Sequence, residues 1–124
     1  MGAPLALNGR EMDPADMEAN AAAACTLLKS MANESRLMIL CQLATGEKSV
    51  GDLLENVPLS QSAMSQHLAL LRRERLVKTR RSAQTIYYSL ISEEVMAVMA
   101  TLYSLYCGQA DAKTSKASRK PEFA

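Results

Sequence analysis

Apolar side chains recur every three or four positions along most of this 124-residue chain, and the period changes only once. The Ala-rich run from Asp13 to Leu28 opens on a capping residue followed by Pro, which reads as a helix start. Asn33 can cap a second helix with Leu37, Leu40, Cys41 and Ala44 on one apolar face, and Thr45-Gly46 ends it. Ser49 caps a short third helix carrying Val50, Leu53, Leu54 and Val57, and Pro58 then breaks the chain. Ser60 caps a fourth, with Met64, Leu68 and Leu71 inward and Ser62, Ser65, Gln66 and Arg73 outward. Two helices joined by a break of a few residues make a helix-turn-helix.

From Val77 to Leu90 the period becomes two. Val77, Thr79 and Arg81 alternate with Lys78 and Arg80, and Thr85-Ile86-Tyr87-Tyr88-Ser89-Leu90 is β-prone. A turn at Ser82-Ala83 makes this a two-stranded hairpin, or wing, with Arg80 and Arg81 near its tip. Ser92 caps a last helix running to about Cys107, with Val95, Val98, Met99, Leu102, Leu105 and Tyr106 as apolar positions and Gly108 as its end. The pattern therefore predicts a mainly α winged helix-turn-helix domain over 13–108, in the order four helices, hairpin, helix. Residues 1–12 lack periodicity and 109–124 are polar, and both are expected to be flexible tails.

Composition adds a reason to expect a dimer. The chain is 48% hydrophobic, with eight Met, one Phe and no Trp, so aliphatic and Met side chains must fill the core. The first and last helices carry more apolar positions than one small core needs, which makes them the expected surfaces of a homodimer. No apolar run approaches the roughly 18 residues of a membrane span, and no signal peptide is evident. A cytoplasmic location is the expectation. Three cysteines in such a chain argue against a disulfide framework.

Charge sharpens the functional picture. The net charge is +1, but residues 11–59 hold three basic and eight acidic groups, whereas 60–90 hold six basic groups and one acid. A basic block beside an acidic one is a local footprint for phosphate. A helix whose N-terminus enters the major groove offers short polar side chains to base edges, and Gln61, Ser62, Ser65 and Gln66 have the right type and place. Arg72, Arg73, Arg80 and Arg81 suit phosphates, and a wing arginine could enter the minor groove. His67, the one histidine, is expected to pack or to contact DNA. With no second His, it is a poor start for a zinc or catalytic site. The plain alternative for the whole stretch is a solvated polar helix face.

Ser62-x-x-Ser65-x-His67-Leu68-x-x-Leu71, followed by Arg72, Arg73 and Val77, resembles the recognition helix of ArsR/SmtB-family winged-helix repressors. Asn33-x-x-Arg36-Leu-x-Ile39-Leu40 resembles that family's second helix, and the likeness runs from about residue 20 to 108. The resemblance implies a homodimer that binds double-stranded operator DNA and represses transcription, with no enzymatic activity. It also directs attention to two usual metal sites. One places Cys-x-Cys-Asp where this chain has Ser49-Val50-Gly51-Asp52, and the other needs His residues on a last helix that here has none. No metal and no cofactor is therefore expected.

What remains is Cys41 and Cys107. By themselves they could be two small packing residues, as free Cys often is. Their positions, after Leu37-x-x-Leu40 and after Leu102-Tyr103-x-Leu105-Tyr106, are similar to those of the thiol pair in the persulfide-sensing (BigR- and SqrR-like) branch of the family. That resemblance implies a redox-sensing pair that becomes bridged by reactive sulfur species, with release of DNA. Cys25 departs from the two-thiol pattern and is expected to pack near a dimer seam. Three alternatives stay open: the same fold answering a metal, metalloid or peroxide; a thiol oxidoreductase, disfavoured by the lack of CxxC; and a constitutive architectural DNA binder.

Overall fold

In the computed structural model, residues 6–7 and 10–108 are described. Five helices and five short strands follow in the order β1 (Ala6–Leu7), β2 (Arg10–Glu11), α1 (Pro14–Met31), α2 (Glu34–Ala44), β3 (Lys48–Ser49), α3 (Val50–Asn56), α4 (Gln61–Arg73), β4 (Val77–Ser82), β5 (Thr85–Leu90) and α5 (Glu93–Tyr106). The stretch expected to be a loose N-terminal tail contains the antiparallel pair β1–β2. The C-terminal tail expected over 109–124 lies outside the described residues.

Every helix starts where a capping side chain satisfies backbone N–H groups that have no intrahelical partner. Asp13 accepts from Ala15 N–H, Asn33 from Arg36, Ser49 from Asp52, Ser60 from Ala63 and Ser92 from Val95. At α3 the arrangement is reciprocal, because the Asp52 carboxylate also accepts from Ser49 N–H at 3.1 Å. The end of α4 is equally well defined. Leu76 N–H reaches the Leu71 carbonyl and Arg75 N–H the Arg72 carbonyl, both at 2.9 Å, with Arg75 left-handed at φ 64°. This Schellman pattern usually places Gly where Arg75 stands.

α2 lies at the centre of the molecule, packed against α1, α3, α5 and β5. Its buried residues are Ile39, Leu40 and Leu43, joined in one core by Met31, Leu53, Val57, Met64, Leu68, Leu71, Leu76, Val77 and Val95. Leu40 is buried as expected, but Cys41 and Ala44, assigned to the same apolar face, are exposed. The face that α2 buries is turned toward Ile39 and Leu43, because neighbours approach from several sides.

The wing pairs as the period of two requires, from Val77↔Leu90 to Ser82↔Thr85. Its two-residue turn is Ala83-Gln84, one position beyond the expected site, and Ala83 is left-handed at φ 59°. The sheet also has a strand that pattern did not indicate. β3 pairs with β5 through Lys48↔Tyr88 and Ser49↔Tyr87, giving the order β3-β5-β4. Two residues are too few to carry a periodicity. Among the described residues, no helix is long and apolar enough to cross a membrane.

Candidate nucleic-acid interface and thiol pair

Helix α4 sorts its side chains cleanly. Met64, Leu68 and Leu71 are buried, while Gln61, Ser62, Ser65, Gln66, Arg72 and Arg73 are exposed. The first four lie in its N-terminal half, and the two arginines end it. Ser65, Arg72 and Arg73 border a recess of about 460 Å³ whose floor includes Val50, Leu68 and Tyr88 at the base of the wing. Ser65 from the polar N-terminal half and the cationic end of the helix thus share one surface.

The two wing arginines differ. Arg81 is exposed. Arg80 is held by Glu47 in a fork, Nε to Oε2 at 2.8 Å and Nη2 to Oε1 at 2.9 Å, with its guanidinium 4.7 Å from the Tyr87 ring centre. Glu47 precedes β3 and Arg80 lies on β4, so the pair spans the intervening β5. The Arg80 hydrogen bonds hold the Glu47 carboxyl below its ordinary pKa range and push the guanidinium still higher. With the side chains 56% and 35% exposed, the bridge adds little stability but gives the Arg80 guanidinium an intramolecular partner. Acidic residues in the second helix region gave no hint of this pairing, since it joins positions 33 apart.

His67 is less exposed than Ser65 and Gln66 on the same helix. It is half-buried, and Arg36 Nη1 donates to its Nδ1 at 3.3 Å. Burial, and after it the Arg36 charge, lowers the pKa of its imidazole. The same guanidinium donates from Nε to the Ser30 carbonyl at 2.6 Å and from Nη2 to the Lys29 carbonyl at 3.3 Å. Arg36 stood in the family-like Arg-Leu pair, but its partners are set by the packing of three helices.

All three thiols are free; Cys25 and Cys41 are exposed and Cys107 is half-buried. Cys41 lies in the last turn of α2 and Cys107 is the C-cap residue of α5, where its N–H donates to the Tyr103 carbonyl at 2.7 Å. These two helices pack against each other, whereas Cys25 lies on α1. Among the described residues, no three His, Cys, Asp or Glu side chains gather as a metal site would require.

Known proteins place this geometry. The profile described as "Bacterial regulatory protein, arsR family" matches residues 33–79, which run from the α2 cap into the wing. The "Transcriptional activator HlyU" of Vibrio cholerae is 55% identical over 82% of this chain and 94% of its own length. The structure of HlyU from Vibrio vulnificus is 60% identical and superposes with a TM-score of 0.71 over 77% of this chain and all of that one. The transcriptional repressor BigR from Xylella fastidiosa, 36% identical, superposes with a TM-score of 0.75 over 77% of this chain and 98% of its own. The chain belongs to the ArsR family of bacterial regulatory proteins, DNA-binding transcriptional regulators of winged helix-turn-helix fold and not enzymes.

Proposed function

We propose that the protein is a homodimeric, cytoplasmic repressor that releases double-stranded operator DNA when reactive sulfur species bridge Cys41 and Cys107. The observation that carries this reading is the placement of two free thiols, one exposed and one half-buried, on the packed helices α2 and α5. The likeness to the BigR repressor supports it.

The chemistry balances with a persulfide as oxidant. Two thiols and one RSSH give a disulfide, RSH and H₂S, and each further RSSH inserts one sulfur and leaves RSH. A direct disulfide needs Cα atoms within about 7 Å, and added sulfurs relax that limit. Thiols held slightly too far apart therefore select persulfides over peroxide. The bridge joins α2, which packs on α3 and β5, to α5. Fixing that angle shifts the reading helices of a dimer out of operator spacing. Exposed Leu28 on α1 and Tyr103 and Leu105 on α5, at 54%, 58% and 64%, suit such a dimer seam.

The test is operator binding before and after an inorganic persulfide donor, with mass analysis of the protein. Cys41→Ser and Cys107→Ser should each bind DNA when reduced and fail to release it, while Cys25→Ser should respond like the parent. Normal release by either of the first two variants sinks the proposal. Activation of transcription is a second reading, favoured by the name of the Vibrio cholerae relative. A reporter driven by the bound promoter, with and without the protein, separates the two signs of regulation.

A further inference from the structure

At the corner where α1 ends, α2 begins and α4 passes, one side chain bonds to both α1 and α4. Arg36 donates to two carbonyls in the last turn of α1, Lys29 and Ser30, and to one atom of the reading helix, His67 Nδ1. The carbonyls at a helix end have no intrahelical partner, so a cation there is doubly favoured. A guanidinium has donors only. The contact at 3.3 Å therefore makes His67 Nδ1 the acceptor, with the ring proton on Nε2.

That chemistry holds for the neutral ring alone. A protonated imidazole presents N–H at both nitrogens and a positive charge to the guanidinium. Among the described residues, Arg36 is the charged group whose field acts on the ring. No hydrogen bond or ion pair among the described residues joins the ring to Lys29 on α1, Glu34 on α2, Asp52 or Glu55 on α3, or Lys78, Arg80 or Arg81 on β4. Arg36 keeps both α1 carbonyls when the ring turns away, so the tie that breaks is the one to α4.

We propose that His67 is a positioning residue for DNA binding: its neutral imidazole accepts from Arg36 and seats the reading helix on the α1–α2 corner, so that protonation weakens DNA binding. The sign is opposite to that of a DNA contact, since an imidazolium facing phosphate tightens binding as pH falls. The inference rests on the DNA-binding reading of α4 but is independent of the thiols.

The test uses the full-length reduced protein and a labelled duplex selected from a random-sequence pool by the wild type at pH 7.5. Retention of a selected duplex at pH 7.5 carries the DNA-binding reading, and the pH arm carries the role of His67, so the two fail separately. From pH 7.5 to a pH below the ring's own measured titration midpoint, wild-type affinity should fall about fivefold to tenfold, the scale of one charge-assisted hydrogen bond partly coupled to helix placement. His67→Asn keeps an acceptor where Nδ1 stands and does not titrate, so its affinity should be nearly flat with pH. Because the chain has a single histidine, its ring resonances need no assignment by mutation. Their titration midpoint in the free protein should match the midpoint of the affinity loss, and the neutral ring should carry its proton on Nε2. Unchanged or tighter binding once the ring is protonated, an unchanged pH profile in H67N, or a proton on Nδ1 in the neutral ring overturns the proposal.

Discussion

Helices α4 and α5 are of nearly equal length and end in opposite states. On α4 the apolar seam of Met64, Leu68 and Leu71 is buried, and what remains exposed is, apart from Ala69, polar or cationic. On α5, Val95 is fully buried, while Met96, Tyr103 and Leu105 stay exposed. α1 resembles α5, with Met17 and Leu28 exposed, and a cleft of about 540 Å³ opens between α1 and the start of α5, lined by Met17, Leu27, Leu76 and Ile91. The reading helix is finished within one chain; the outer helices carry apolar surface that one chain does not cover. The contrast separates a helix with a polar surface, as DNA binding requires, from helices whose uncovered apolar surface fits the proposed second subunit.

The strongest way to break this contrast is truncation inside each region. Leu68→Ala should cost about 2–5 kcal/mol, because a fully packed side chain is lost and the cavity collapses only partly. Urea unfolding at fixed protomer concentration measures it. Leu105→Glu should cost the fold little but convert a dimer to monomer in sedimentation. If L105E leaves the mass in solution unchanged, α5 is not the seam.

Next in size is the polar surface of α4. Gln61→Ala or Ser65→Ala should relax preference among duplex sequences by about 1–3 kcal/mol per lost base contact, read by competition binding. Equal weakening on all sequences would move these residues from base reading to backbone contact. The wing provides a finer distinction. Arg81→Ala should lower the log–log salt slope of binding by about 0.9, the value of one phosphate contact. Arg80→Ala should lower it less, because Glu47 competes for that guanidinium, and Glu47→Gln should raise it. Equal slopes for R80A and R81A would mean that the Glu47 bridge opens freely on DNA.

The smallest effects concern local geometry and acid. Ala83→Gly should stabilise the protein by up to about 1 kcal/mol, since a left-handed Ala is strained where Gly is not. Thermal unfolding reads it. The Ser49 backbone N–H, and after it the Ser49 hydroxyl, holds the Asp52 carboxyl below its ordinary range. A lowered carboxylate pKa contributes stability that is present above the unfolded value and lost as pH falls through the folded one. Asp52→Asn should therefore flatten the decline in stability below about pH 4. His67 works on a different window: its lowered pKa means that the unfolded chain takes up the proton first. Its contribution is complete above about 6.5 and declines as pH falls from there. If the single-histidine signal titrates above that value in the folded protein, the sign is reversed.

The sequence by itself determined what is local. Five caps, the break at Pro58 and the switch of period at Val77 each depend on residues a few positions apart and stand in the structure, and the last helix, expected to run to about Cys107, ends at Tyr106 with Cys107 as its cap. The outward set on α4 was legible for the same reason, because a helix of known start fixes which residues share a face. Tertiary structure alone decided three matters. β3 joins the sheet through backbone pairing that two residues cannot announce. The buried face of α2 excludes Cys41 because four neighbouring elements settle its rotation, and the thiol is left accessible. Arg36 meets His67 across 31 positions and Arg80 meets Glu47 across 33. A charged side chain's partner is chosen by whichever acceptor the fold brings within about 3 Å, and that distance is not written in spacing along the chain.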